Sequence, residues 1–107
     1  MNAREVNAYV DRSRIGDVVD ALAKAGFVIL SVTEIEKLLK PLTHHAQGHA
    51  AEPGDHANGA VKLELVCDTE NRTAEAVALI REHAKTGQAS AGWVYVTEVH
   101  ALLEITS

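Results

Sequence analysis

The chain has 107 residues, which suits one domain, and 47% of them are hydrophobic, enough for a core that must be mostly aliphatic because there are only one Trp, one Phe and two Tyr. A net charge of −5 opposes nucleic acid and anionic membranes, neither of which would meet a positive field, but leaves a small anionic ligand open because such a ligand sees only local groups. Cys67 is the only cysteine, the N-terminal "MNAREVNAYVDR" carries charges where a signal peptide needs an apolar run, and no stretch approaches a membrane span, so a cytoplasmic protein without an internal disulfide is expected.

In chain order, "EVNAYV" comes first and alternates: Val6, Ala8 and Val10 face one way, Glu5, Asn7 and Tyr9 the other, as in a strand. Ser13 is placed to cap a helix carrying Ile15, Val18, Val19, Leu22 and Ala25 at helical spacing, and Gly26 is placed to end it. The β-branched run "FVILSVTEI", Phe27 to Ile35, predicts a second strand that is apolar on both faces and needs cover on both. Residues 36–59 show no periodicity and contain both prolines and three glycines. A loop of that length in a compact domain is usually functional or becomes ordered on a partner.

"AVKLELVC" alternates again, with Val61, Leu63, Leu65 and Cys67 on one face and Lys62, Glu64 and Val66 on the other. "NRTAEAVALIREHAK" predicts a helix with Val77, Ile80 and Ala84 on its apolar stripe. The small-residue stretch "KTGQASAG" separates that helix from a fourth strand, "WVYVTEV", and "ALLEI" is expected to add a short strand or turn. The order β-α-β, long loop, β-α-β is that of an α+β, ferredoxin-like βαββαβ domain spanning residues 1–107, with both helices on one face of a four-stranded antiparallel sheet. A second strand apolar on both sides would then leave an apolar patch in water, so a homo-oligomer packing sheet faces together is expected.

The segments "DVVDALAKAGFVILSVTEI", "VKLELVCDTE" and "AKTGQASAGWVYV" resemble, in order and spacing, the PII signalling proteins and their PII-like relatives. The resemblance covers almost all of the chain. It implies a trimer that binds adenine nucleotides in clefts between subunits and signals to a protein target through a mobile T-loop, here residues 36–59. Residues 86–92 correspond to the family's B-loop. Ser31 stands where the family has a threonine that contacts adenine, and Glu64 and Val66 match strand positions lining the base pocket. Lys40 aligns with a basic T-loop residue that meets phosphates, and is the position assigned to phosphate or bicarbonate. Ser90, Ala91 and Gly92 match the B-loop backbone that cradles phosphates, which suits a small-residue turn whose N–H groups form an anion nest.

The departures from the family pattern are specific. Its phosphate-binding lysine after the B-loop is replaced by Trp93, and its two C-terminal arginines by Glu104 and Thr106. Charge-assisted contacts to phosphate are the strong ones, so ADP or AMP is expected to bind in preference to ATP. The T-loop has no tyrosine, which removes the family's uridylylation site, and Pro41 stands where a glutamine orients magnesium and 2-oxoglutarate. The pattern is similar to that of the carboxysome-associated PII proteins, which implies bicarbonate as a second regulatory ligand and a role in inorganic-carbon metabolism, with no obligatory cofactor.

His44, His45, His49 and His56 lie within thirteen residues of one loop. Imidazole binds zinc, nickel and copper, so a metal-responsive PII-like protein is the alternative reading, although the spacing matches no closed structural site and no cysteine joins it. A third reading is a trimeric adaptor that docks on a transporter or enzyme without any small ligand. No nucleophile beside a base and no framed carboxylate pair is apparent, so catalysis is not expected.

Overall fold

A computed structural model describes residues 3–35 and 59–107. Residues 36–58, with Lys40 and the four clustered histidines, lie outside the described residues. The elements are β1 (Ala3–Asp11), a 3-10 turn (Arg12–Arg14), α1 (Ile15–Lys24), β2 (Ile29–Ile35), β3 (Ala60–Cys67), α2 (Glu70–His83) and β4 (Gly92–Val99). The strands form one antiparallel sheet in the order β2-β3-β1-β4. This is the expected ferredoxin-like arrangement.

The core follows the alternation in β1 and β3. Val6, Ala8, Val10, Leu63, Leu65 and Cys67 turn to one face, where they meet Val18 and Leu22 of α1 and Ala76 and Ile80 of α2. Both helices therefore cover the same side of the sheet. Removing such side chains from water is the main stabilising term, about 1.5–3 kcal/mol for each fully buried large aliphatic.

The start of α1 differs from expectation. Ser13 does not cap it; Asp11 Oδ1 accepts from the Ser13 backbone N–H at 2.9 Å and from Ser13 Oγ at 2.7 Å. A carboxylate is the stronger acceptor, so the serine becomes its donor and a 3-10 turn forms ahead of the helix. The end of α1 is as expected. Gly26 takes φ +88°, its N–H reaches the Ala23 carbonyl and the Phe27 N–H reaches the Leu22 carbonyl, each at 3.0 Å.

That C-terminal motif uses the Phe27 N–H, and β2 begins only at Ile29. A bulge follows: Ile29 pairs with Leu65 but Ser31 with Glu64, so the two residues fall on opposite faces. Ser31 and Thr33 consequently join Glu64 and Lys62 on the side of the sheet away from the helices. β2 thus has Ile29 and Val32 on the helix face and Ile35, opposite Ala60, on the open face, where Ser31 and Thr33 make most of its surface polar. Its exposed apolar residues, Leu30 at 56% and Val32 at 49%, are a bulge residue and an edge residue on the helix side.

The open face is polar and aromatic, built from Glu5, Asn7 and Tyr9 of β1, their β3 partners Val66, Glu64 and Lys62, and their β4 partners Thr97, Tyr95 and Trp93. Asn7 is covered, at 2% exposure, because Glu64 and Tyr95 flank it across the sheet.

Thr69 caps α2 by accepting from the Arg72 N–H at 3.0 Å. Thr73, Ala76 and Ile80 form its buried stripe, with Val77 and Ala84 packed at the margin. Residues 100–107 form no regular element, so the expected strand or turn at "ALLEI" is absent. No helix among the described residues is long and apolar enough to cross a membrane.

Candidate functional site

The residues singled out in the sequence fall into two groups. The first lies on the open face of β2 and β3. Ser31 Oγ donates to Glu64 Oε1 at 2.9 Å, and this bond exists only because the bulge in β2 turns Ser31 toward Glu64. Val66 is two residues further along the same face of β3 and borders a depression of about 350 Å³ with Val28, Asp68 and Leu102.

The Ser31–Glu64 pair is part of a larger polar cluster. Asn7 Nδ2 donates to Glu5 Oε1 at 3.0 Å, and Thr97 Oγ1 reaches the same oxygen at 3.5 Å. The Glu5 carboxyl is held below its ordinary pKa, chiefly by a hydrogen bond with Glu64 and next by the one from Asn7. Beyond this cluster Tyr9 and Tyr95 stack with ring centres 6.5 Å apart, and Lys62 Nζ sits 5.9 Å from the Tyr9 ring. The alternation in the sequence placed Glu5 and Asn7 only on the face opposite Val6, Ala8 and Val10. Only the cross-strand register shows that they buttress Glu64.

The second group surrounds the small-residue loop. A cavity of about 690 Å³ lies between the last turn of α2, the loop and the start of β4, with Ala91, Gly92 and Trp93 in its wall. Ser90 is adjacent to this wall but not in it. Gly92 is already the first residue of β4 rather than the last of a loop. It takes φ +150°, and a Cβ there would lie 2.1 Å from the Tyr9 carbonyl oxygen, so only glycine lets β4 come this close to β1. Gly87, at φ +90°, makes the turn itself. The Gln88 N–H is taken by Thr86 Oγ1 at 3.3 Å. Among the described residues the N–H groups of Gly87, Ala89, Ser90 and Ala91 have no backbone partner, which leaves donors for an anion.

Three side chains in that cavity were not singled out from the sequence as site residues: Tyr9, Arg81 and Lys85. The available signal was a pair of basic residues on the helix turn that feeds the small-residue loop. Trp93, noted only as a departure, also lines the wall.

The two groups do not meet in one chain. Ser31 is on β2 and Gly92 on β4, at opposite edges of the sheet. Three inter-strand steps, about 14 Å across the sheet, separate their strands, and Gly92 lies three residues along β4 from Tyr95, which is in line with Ser31. One offers a hydroxyl–carboxylate pair of the kind that suits a heterocycle edge, the other a concave wall rich in donors of the kind that suits an anion.

Lys40 lies outside the described residues, as do His44, His45, His49 and His56, so neither the phosphate nor the metal assignment meets a structural observation. Among the described residues no three His, Cys, Asp or Glu side chains converge as metal ligands. Cys67 is buried and burial pushes its thiol pKa up, which disfavours the nucleophilic thiolate.

No protein-family model matches the chain. Over 104 residues it is 28% identical to the nitrogen regulatory protein P-II 1 of Methanothermobacter thermautotrophicus, with 95% of this chain and 88% of that protein covered. Its structure is similar to that of Arabidopsis thaliana PII bound to citrate, with a TM-score of 0.65 and 25% identity over 92% of this chain and 78% of the other.

Proposed function

We propose that this chain, a PII-superfamily protein by both sequence and fold, is a regulatory protein of the cytoplasm that binds ADP or AMP in preference to ATP in the clefts of a homotrimer. Bicarbonate is its second ligand, inorganic-carbon metabolism its setting, and residues 36–59 carry the signal to a protein target. The observation that carries this reading is the separation of the two groups, which lie on opposite edges of the sheet and more than about 14 Å apart. Ser31 and Glu64 already touch on one edge of the sheet, while the loop cavity opens at the other. A neighbouring copy brings its loop cavity against the Ser31–Glu64 edge and so completes a cleft between subunits.

The preference for short nucleotides rests on charge. Trp93 lines the loop cavity at the position where a phosphate-binding lysine is expected, and the tail that carries Glu104 and Thr106 is exposed. Each missing charge-assisted contact removes on the order of 1.5–3 kcal/mol. The relative bound to citrate holds a small carboxylate anion, which supports an anion as the second ligand here.

Calorimetric titration with ADP, AMP and ATP at matched magnesium, with and without bicarbonate, tests the reading. ADP or AMP should bind most tightly, and Glu64→Ala should weaken all three alike. ATP as the tightest ligand refutes the charge argument, and a stable monomer in sedimentation equilibrium at micromolar concentration refutes the shared cleft.

A further inference from the structure

We propose that Arg81 and Lys85 are phosphate-binding residues, supplying the cationic side of the loop cavity that Trp93 leaves without charge. The inference rests on the nucleotide reading above and deepens it by naming the groups that meet the terminal phosphate of a nucleoside diphosphate.

Arg81 is on the last turn of α2 and Lys85 lies two residues past the helix end. Both line the cavity of about 690 Å³ whose far wall is Gly87, Ala91, Gly92 and Trp93. Two cations thus line one concave surface together with Gly87, Ala89 and Ala91, whose N–H groups have no backbone partner among the described residues, in a chain whose net charge is −5. That local excess of positive charge is what an anionic ligand requires, whatever the net charge of the whole.

Neither cation is committed elsewhere among the described residues. Arg81 makes no hydrogen bond or ion pair there. Lys85 Nζ meets Glu82 Oε1 at 3.2 Å, with the two side chains 70% and 67% exposed. An exposed pair of this kind is worth about 0–1 kcal/mol, so a phosphate can displace Glu82 readily. The guanidinium offers paired donors in a plane that match phosphate oxygens, and the ammonium adds a point charge.

A competing account exists for both residues. Basic side chains in a last turn complement the negative end of a helix dipole. That role predicts a loss of stability on substitution and no dependence on the number of phosphates in a ligand. The phosphate role predicts the reverse.

The experiment is calorimetry of the full-length protein and of Arg81→Gln, Lys85→Gln and the double variant with ADP, AMP, adenosine and inorganic pyrophosphate, alongside thermal unfolding of each. Each single variant should lose roughly tenfold or more in ADP affinity, the double variant more, AMP less than ADP, and adenosine nothing. ADP affinity unchanged in the double variant, or an equal loss for adenosine and ADP, overturns the assignment while leaving the nucleotide reading intact. Should the unaltered protein bind no adenine nucleotide, the nucleotide reading fails and pyrophosphate decides: binding that the double variant loses supports the two residues, and no binding overturns them.

Discussion

Gly92→Ala is expected to damage the junction between the fold and the loop cavity, by an amount that follows from the backbone. A Cβ at this position would sit 2.1 Å from the Tyr9 carbonyl oxygen, about 1.3 Å inside the 3.4 Å at which ordinary contact begins. The obstacle is backbone at the end of the β1–β4 ladder, so no side chain can swing aside to relieve it. The end of β4 must lift from β1, breaking the pairing of Gly92 with Val10. One lost backbone hydrogen bond costs about 1 kcal/mol net, and holding alanine at φ +150° adds about 1–3 kcal/mol. The sum is about 2–4 kcal/mol. Gly87→Ala is the control. It also has a positive φ, +90°, but its Cβ would meet nothing within 4 Å, so strain alone should cost about 1–2 kcal/mol. Urea unfolding followed by far-UV circular dichroism, at one fixed protein concentration because an oligomer's stability depends on it, gives both numbers. A Gly92→Ala variant no less stable than Gly87→Ala would refute the close-approach argument.

Glu5 should make stability depend on acid. Its pKa is lowered by its bonds with Glu64 and Asn7, so its contribution is present above the ordinary carboxylate pKa and is lost as pH falls through that value toward the lower folded one. Glu5→Gln should flatten the acid limb of the stability curve; parallel curves for the two proteins would count against the cluster. Arg72 joins the two helices, its guanidinium 3.7 Å from the Phe27 ring centre and its Nη2 donating to the Ala25 carbonyl at 2.9 Å. Lysine lacks the flat face and the forked pair of donor nitrogens that reaches Glu75 and Ala25 together, so Arg72→Lys should cost about 1–2 kcal/mol in chemical denaturation, and a loss below about 0.3 kcal/mol would mean that the stack contributes nothing.

Local chemistry in the sequence determined the elements and their inward faces. Val6, Ala8, Val10, Leu63 and Leu65 are buried as their alternation requires, and Gly26 ends α1 because it can take a positive φ. The matching motifs also marked the small-residue loop, Ser31 and Glu64 as candidate positions, and the structure shows that Ser31 and Glu64 touch. What stayed illegible depends on which residue lies opposite which. A one-residue bulge moves every later side chain of a strand to the other face, and nothing in "FVILSVTEI" marks the bulge at Leu30. The pairing of Ser31 with Glu64, the polar character of the open face and the support from Glu5 and Asn7 all follow from that register. Arg81 and Lys85 were hidden for the same reason: on a helical pattern they are ordinary surface cations, and only the fold of the loop back onto β1 encloses them in a cavity with Gly92 and Trp93. Periodicity is a property of neighbours along the chain, whereas a binding site is made by neighbours in space.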